Sequence, residues 1–105
     1  MTTLEDYYNT FNQIDGVKAI YLIDMQSKKI QNKTIDLSLD KSDMIDNIKK
    51  LSSYLRKGEF DMIYIETIQN INIFCKNIST NDTILIVVAD KNLVIGSMFT
   101  ILKNV

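Results

Sequence analysis

The chain contains no histidine, one cysteine and three glycines among its 105 residues. The missing histidine removes the commonest general base, the usual Ser-His-Asp triads and most zinc sites. With so few glycines there is no phosphate-cradling loop, and Ser97, although it follows Gly96, lacks the second glycine of a nucleophile elbow. Nucleotide hydrolysis by the chain itself is therefore not expected, and neither is any other enzymatic activity. Cys75 has no partner for a disulfide within one chain, which fits a reducing compartment; inside the run INIFCKNI it reads as a small packing residue. No apolar run approaches the roughly 18 residues of a membrane span, and the opening MTTLEDYY has neither the basic nor the apolar region of a signal peptide. The expected location is the cytoplasm, without membrane insertion. Twelve basic residues against 13 acidic ones give a formal net charge of -1, so a basic nucleic-acid surface is not implied.

What is present has the length and composition of one soluble domain over residues 1–105, with 46% apolar and 24% charged residues. Thr2 or Thr3 can cap a first helix, with Glu5 and Asp6 in its first turn and Leu4, Tyr7, Tyr8, Phe11 and Ile14 at helical spacing; Gly16 reads as its stop. VKAIYLID reads as a strand with two largely apolar faces, and KKIQNKTI as its polar hairpin partner at a sheet edge, after a turn around Gln26 and Ser27. A middle helix is expected from about Ser42 to Lys57, with Met44, Ile48, Leu51 and Leu55 on one stripe. Its charges are sorted as the helix dipole favours, with Asp40, Asp43 and Asp46 at the start and Lys49, Lys50, Arg56 and Lys57 toward the finish.

Three strands follow: FDMIYIETI, then INIFCKNI after a turn at Gln69 and Asn70, then TILIVVA after the polar turn STND. The last is apolar without interruption and belongs at the sheet centre. In the tail, Val94, Ile95, Met98, Ile101 and Leu102 fall on one side of a helical wheel opposite Ser97, Thr100 and Lys103, which predicts a closing helix. Asp24, Asp61 and Glu66 are the carboxylates nearest to a pairable arrangement, but at strand ends and edges they read as solvated charges. The aromatic residues lie at core spacing rather than on a nucleic-acid platform.

The order helix, two strands, helix, three strands, helix resembles the roadblock family of dynein light chains and bacterial and archaeal GTPase regulators, over essentially the whole chain. The segments that carry the resemblance are GVKAIYLID, with Gly16, Val17 and Asp24, and TILIVVADKNLVIGSM, with Asn92, Leu93 and Gly96. The resemblance implies an α+β fold of profilin-like type. Its five-stranded antiparallel sheet has the order 2-1-5-4-3, with the first and last helices on one face and the middle helix on the other. It also implies that FDMIYIETI is an edge strand pairing with its own copy in a homodimer, and an edge this apolar calls for a partner on physical grounds too. A right-handed crossover would turn Ile45, Lys49, Ser52 and Arg56 of the middle helix toward the partner. The expected interface thus comprises these four residues with Phe60, Met62, Ile63, Tyr64 and Ile65. Arg56 has the chemistry of an arginine finger, but dipole and interface roles account for it more simply. The function implied is that of a noncatalytic adaptor, without a cofactor or metal, that binds a small Ras-like GTPase and modulates its nucleotide cycle or localisation. A small-ligand sensor domain of the PAS or profilin-like type, or a purely structural assembly subunit, shares parts of the same element order.

Overall fold

The computed structural model describes residues 3–24, 26–27, 29–34, 50, 62–67, 70–78 and 83–104. Helix α1 (Leu4–Phe11) starts with a reciprocal cap: the Asp6 amide donates to Thr3 Oγ1 at 3.3 Å while the Thr3 amide donates to Asp6 Oδ2 at 2.9 Å. Two of the helix's otherwise orphaned donors are thereby satisfied. Tyr7 and Phe11, four residues apart, form its buried stripe. Gly16 does not terminate this helix, which closes at Asn12 in ordinary right-handed geometry. The glycine instead enters the first strand with φ of 95°.

Strands β1 (Val17–Asp24), β2 (Lys29–Thr34), β3 (Met62–Glu66), β4 (Asn72–Asn77) and β5 (Thr83–Ala89) form one sheet, and helix α2 (Ile95–Lys103) follows. Every neighbouring pair is antiparallel and the order is β2-β1-β5-β4-β3, so the expected α+β fold and strand order are those observed. The middle helix expected over Ser42 to Lys57 lies, apart from Lys50, outside the described residues. β5, the uninterrupted apolar run, occupies the centre between β1 and β4, where both of its faces must be covered.

The side chains divide by strand alternation into two clusters. On the first face Ile20, Leu22, Phe74, Leu85 and Val87 meet Tyr7 and Phe11 of α1 and Met98 and Leu102 of α2. Val17 joins them because a bulge between Val17 and Ala19 shifts the parity of β1 by one residue. On the second face Ala19, Tyr21, Ile23, Ile73, Cys75, Ile84, Ile86 and Val88 are buried as well. Both described helices stand on the first face. Val94 departs from its expected place on the buried stripe of α2: it is the helix N-cap, extended in backbone and 66% exposed. An N-cap residue precedes the first helical position, so its side chain leaves the stripe that helical spacing assigns it.

Candidate interaction edge

The two edges of the sheet differ in chemistry. β2 carries exposed Lys29, Gln31 and Asn32, and its Lys33 pairs with Glu5 and sits 4.8 Å from the Tyr8 ring centroid, tying the strand to α1. Lysines and amides along an edge discourage further strand pairing. β3 has none of these guards. Met62, Ile63, Tyr64 and Ile65 are all half-buried, and only the terminal Glu66 is charged and exposed. Met62 and Tyr64 lean on the first cluster and Ile63 on the second, so the strand is apolar on both faces.

The backbone of β3 can be assigned a direction. Its ladder with β4 pairs Ile63 with Cys75, Tyr64 with Phe74 and Ile65 with Ile73, and continues to a 2.8 Å bond from the Thr67 amide to the Ile71 carbonyl. Antiparallel hydrogen bonding alternates along a strand, so Ile65 and Ile63 share the inward orientation of Thr67. The amides and carbonyls of Met62, Tyr64 and Glu66 therefore point away from β4, to the side on which no described strand lies.

Tyr64 is held by both its hydroxyl and its ring. Its hydroxyl donates to Asn72 Oδ1 at 2.8 Å, and its ring lies 4.9 Å from Phe74 and 5.6 Å from Phe99, which in turn are 5.5 Å apart. The last two contacts are edge-on, a favoured geometry for aromatic quadrupoles. Burial, and then the neighbouring Glu66, push the phenol pKa up, so the hydroxyl keeps the proton it donates. Asn72 is only 4% exposed and uses its amide group as well, donating to the Asp90 carbonyl at 3.1 Å. Asp90 in turn accepts from the Asn92 amide at 2.8 Å, pairs with Lys18 at 3.2 Å and donates its own amide to the Gly16 carbonyl at 2.7 Å. This brings together Gly16, Asn92 and Leu93, three of the residues on which the family resemblance rests; a Cβ on Gly16 would fall 2.6 Å from the Leu93 nitrogen.

Of the nine residues expected at an interface, Met62, Ile63, Tyr64 and Ile65 stand on β3, whereas Ile45, Lys49, Ser52, Arg56 and Phe60 lie outside the described residues. Asp61 lies outside them too. Asp24 and Glu66 are separated: Asp24 ends β1, exposed, and its carboxylate accepts from the Gln26 and Ser27 amides, which hold its pKa below the usual carboxylate value. Cys75 is fully buried and desolvation pushes its thiol up to about 12, so it is protonated and unreactive at neutral pH. Sequence reasoning missed Asn72 and Phe99. The available signal was a polar residue inside an apolar run, since an asparagine buried among isoleucines needs partners. Among the described residues no group of three His, Cys, Asp or Glu side chains is placed to hold a metal ion. Comparison with protein-family models, with curated proteins and with solved structures returns no match.

Proposed function

We propose that this chain is a noncatalytic, homodimeric adaptor of the roadblock type, which joins a second copy through β3 and presents the shared sheet to a small Ras-like GTPase. The observation that carries the reading is the contrast between the two sheet edges: β2 is polar and lysine-bearing, whereas β3 is apolar on both faces and has its central backbone groups turned outward. An edge of the second kind is a template for pairing, and a second copy is the simplest self-complementary occupant. The GTPase part of the reading rests on the strand order, which is the one that the family resemblance implies. The adaptor supplies no catalytic group; it acts by binding the two nucleotide states of the GTPase with different affinity and so shifting their populations.

Light scattering over the micromolar range tests the first half, with a dimer as the expected result and a constant 12.1 kDa particle as the result that removes it. Nucleotide exchange and hydrolysis by a Ras-like GTPase from the same cell, measured with and without the dimer, test the second. Unchanged rates together with no binding would leave an assembly role without a GTPase.

A small-ligand sensor is the second reading, and one observation favours it. The Tyr21 hydroxyl, on the second face, is buried and has no hydrogen-bond partner among the described residues. Leaving such a group unsatisfied costs about 1–3 kcal/mol, and a polar ligand atom would remove that cost.

A further inference from the structure

We infer that the Asp15–Gly16 bond is a modification site at which the chain forms isoaspartate, blocked while the turn it occupies is folded and released when that turn opens. Asp15 is exposed, and its carboxylate has no hydrogen-bond or ion-pair partner among the described residues. The residue that follows has no Cβ to obstruct an approaching side chain. Its amide donates to no described group.

The chemistry is internal to the chain. With the Asp15 carboxyl protonated, the Gly16 amide nitrogen attacks Cγ, a carbon–nitrogen bond forms, and the carboxyl hydroxyl leaves with the amide proton as water. The product is a five-membered succinimide, which water then reopens. Addition at Cγ returns aspartate, whereas addition at the Asp15 main-chain carbonyl leaves Gly16 attached through the side chain, as isoaspartate. Nothing is oxidised or reduced.

The folded turn blocks the first step. The Val17 amide donates to the Ile14 carbonyl at 3.3 Å, so Asp15 and Gly16 are the central pair of a β-turn. Gly16 has φ of 95° while Asp15 is not among the residues of positive φ, which is the pattern of type II. In that type the first central residue has ψ of about 120°, which for an L residue holds the following nitrogen about 120° from Cβ around the Cα–C bond. Ring closure needs the two nearly eclipsed, so the Asp15–Gly16 peptide plane must turn over. That movement displaces Gly16, whose carbonyl accepts from the Asp90 amide at 2.7 Å and whose Cα lies so close to the next turn that a Cβ would fall 2.6 Å from the Leu93 nitrogen. Reaction therefore proceeds from the opened turn.

Isoaspartate lengthens the main chain by one methylene between α1 and β1. Gly16 can then no longer meet Asp90 and Leu93 while Tyr7 and Phe11 on one side and Val17 on the other keep their places in one cluster. The partner this chemistry fits is a carboxyl methyltransferase. It would move a methyl group from a sulfonium donor to the free α-carboxylate of the isoaspartate, and loss of methanol would then re-form the succinimide.

Incubation of the chain at physiological temperature and neutral pH in oxygen-18 water, with and without denaturing urea, tests the site. Trypsin releases both residues in the peptide from Met1 to Lys18, where the isotope marks ring opening and electron-transfer fragmentation locates the isoaspartate. The expected product is isoaspartate at position 15, formed at least about tenfold faster in urea, with a native rate that follows hydrogen exchange of the Asp90 amide, which reports opening of the same contact. Asp15→Glu, which would require a six-membered ring, should lose the product. Equal rates with and without urea would overturn the block by the turn, and a peptide unmodified at Asp15 in urea would overturn the site. Isoaspartate chains, separated by chromatography, should unfold at lower urea than the natural chain; an equal midpoint would overturn the effect of the added methylene.

Discussion

Gly16→Ala adds one methyl group and removes nothing, yet it should cost the fold a large share of its stability. Two contributions can be worked out. The residue has φ of 95°, in the left-handed region where a Cβ crowds the following carbonyl at a cost of about 1–2 kcal/mol. The new Cβ would also lie 2.6 Å from the Leu93 nitrogen, 2.9 Å from the Leu93 Cα and 2.9 Å from Asp90 Oδ1. Two of those atoms are backbone and cannot rotate away, so the turn from Asp90 to Leu93 must move. That movement strains the 2.7 Å bond from the Asp90 amide to the Gly16 carbonyl, for which about 1 kcal/mol is a fair loss. Together the effects come to about 2–3 kcal/mol, against a total of about 5–15 kcal/mol for a domain of ordinary stability. Urea unfolding followed by circular dichroism should show the midpoint lowered by about 1–3 M at an unchanged slope. Gly96→Ala is the internal control. A Cβ there meets nothing within 4 Å, and the site is in the first turn of α2, so alanine should stabilise by up to about 1 kcal/mol. A Gly16→Ala midpoint equal to the natural one, or both variants moving in the same direction, would refute the placement of Gly16 against the Asp90–Leu93 turn.

Ile65→Lys puts a charge on a half-buried position opposite Ile73 and should weaken folding or dimerisation by about 1–3 kcal/mol; an equally stable, equally associated variant in scattering and urea titration would mean that β3 is wrongly placed. Tyr21→Phe removes a hydroxyl that has no partner among the described residues, so stability should be unchanged or rise by up to about 3 kcal/mol. A loss of more than about 1 kcal/mol in the same titration would reveal a partner for the hydroxyl within the chain and remove the observation that favours the sensor reading. Cys75 should react with an aromatic disulfide reagent no faster than the chain unfolds, and rapid stoichiometric labelling at neutral pH would contradict its burial. Asp6 and Asp24 both have pKa values lowered below 3.8 by hydrogen bonds, chiefly from Thr3 and from Gln26 respectively. Their stabilising effect is therefore complete above the unfolded value and is lost as pH falls through the folded ones. Asp6→Asn and Asp24→Asn should each flatten the acid side of a stability-against-pH curve, and curves superimposable on the natural one would refute the assignment.

β1 and β5 were the most legible elements, with bounds read directly from VKAIYLID and TILIVVA. Strands covered on both faces are written as continuous apolar runs between polar turns, and no other element of this length looks the same. Gly16 was legible as important and illegible in its role. A glycine after an apolar helical stripe is the usual sign of a helix stop, whereas the contact that requires it here is with Leu93, at the far end of the chain. Val94 shows the converse. Its spacing fits the stripe of α2, but spacing cannot tell the last extended residue from the first helical one. Of the candidate edge, the apolar strand could be read and its anchoring could not: Tyr64 depends on Asn72 and Phe99, and neither relation is periodic.

Those non-local contacts divide the first face into two working halves. β2 is tied to α1 through Lys33, which reaches Glu5 and the Tyr8 ring. On the other side β4 holds α2 along its length: Asn72 bonds to the Asp90 carbonyl ahead of the helix, Phe74 packs on Phe99 within it, and the Lys76 ammonium donates to the Leu102 carbonyl near its end. The three residues of β4 that do this are the ones paired in register with Glu66, Tyr64 and Met62 of β3. A strand added to β3 therefore bonds to the backbone of the same residues whose partners hold α2. Its occupancy bears on α2 and the exposed Val94 at its start, while β2 and α1 stand on the far side of β1 and β5. This geometry places the apolar β3 edge and the helix it supports in one half of the domain and leaves the polar β2 edge as a separate surface.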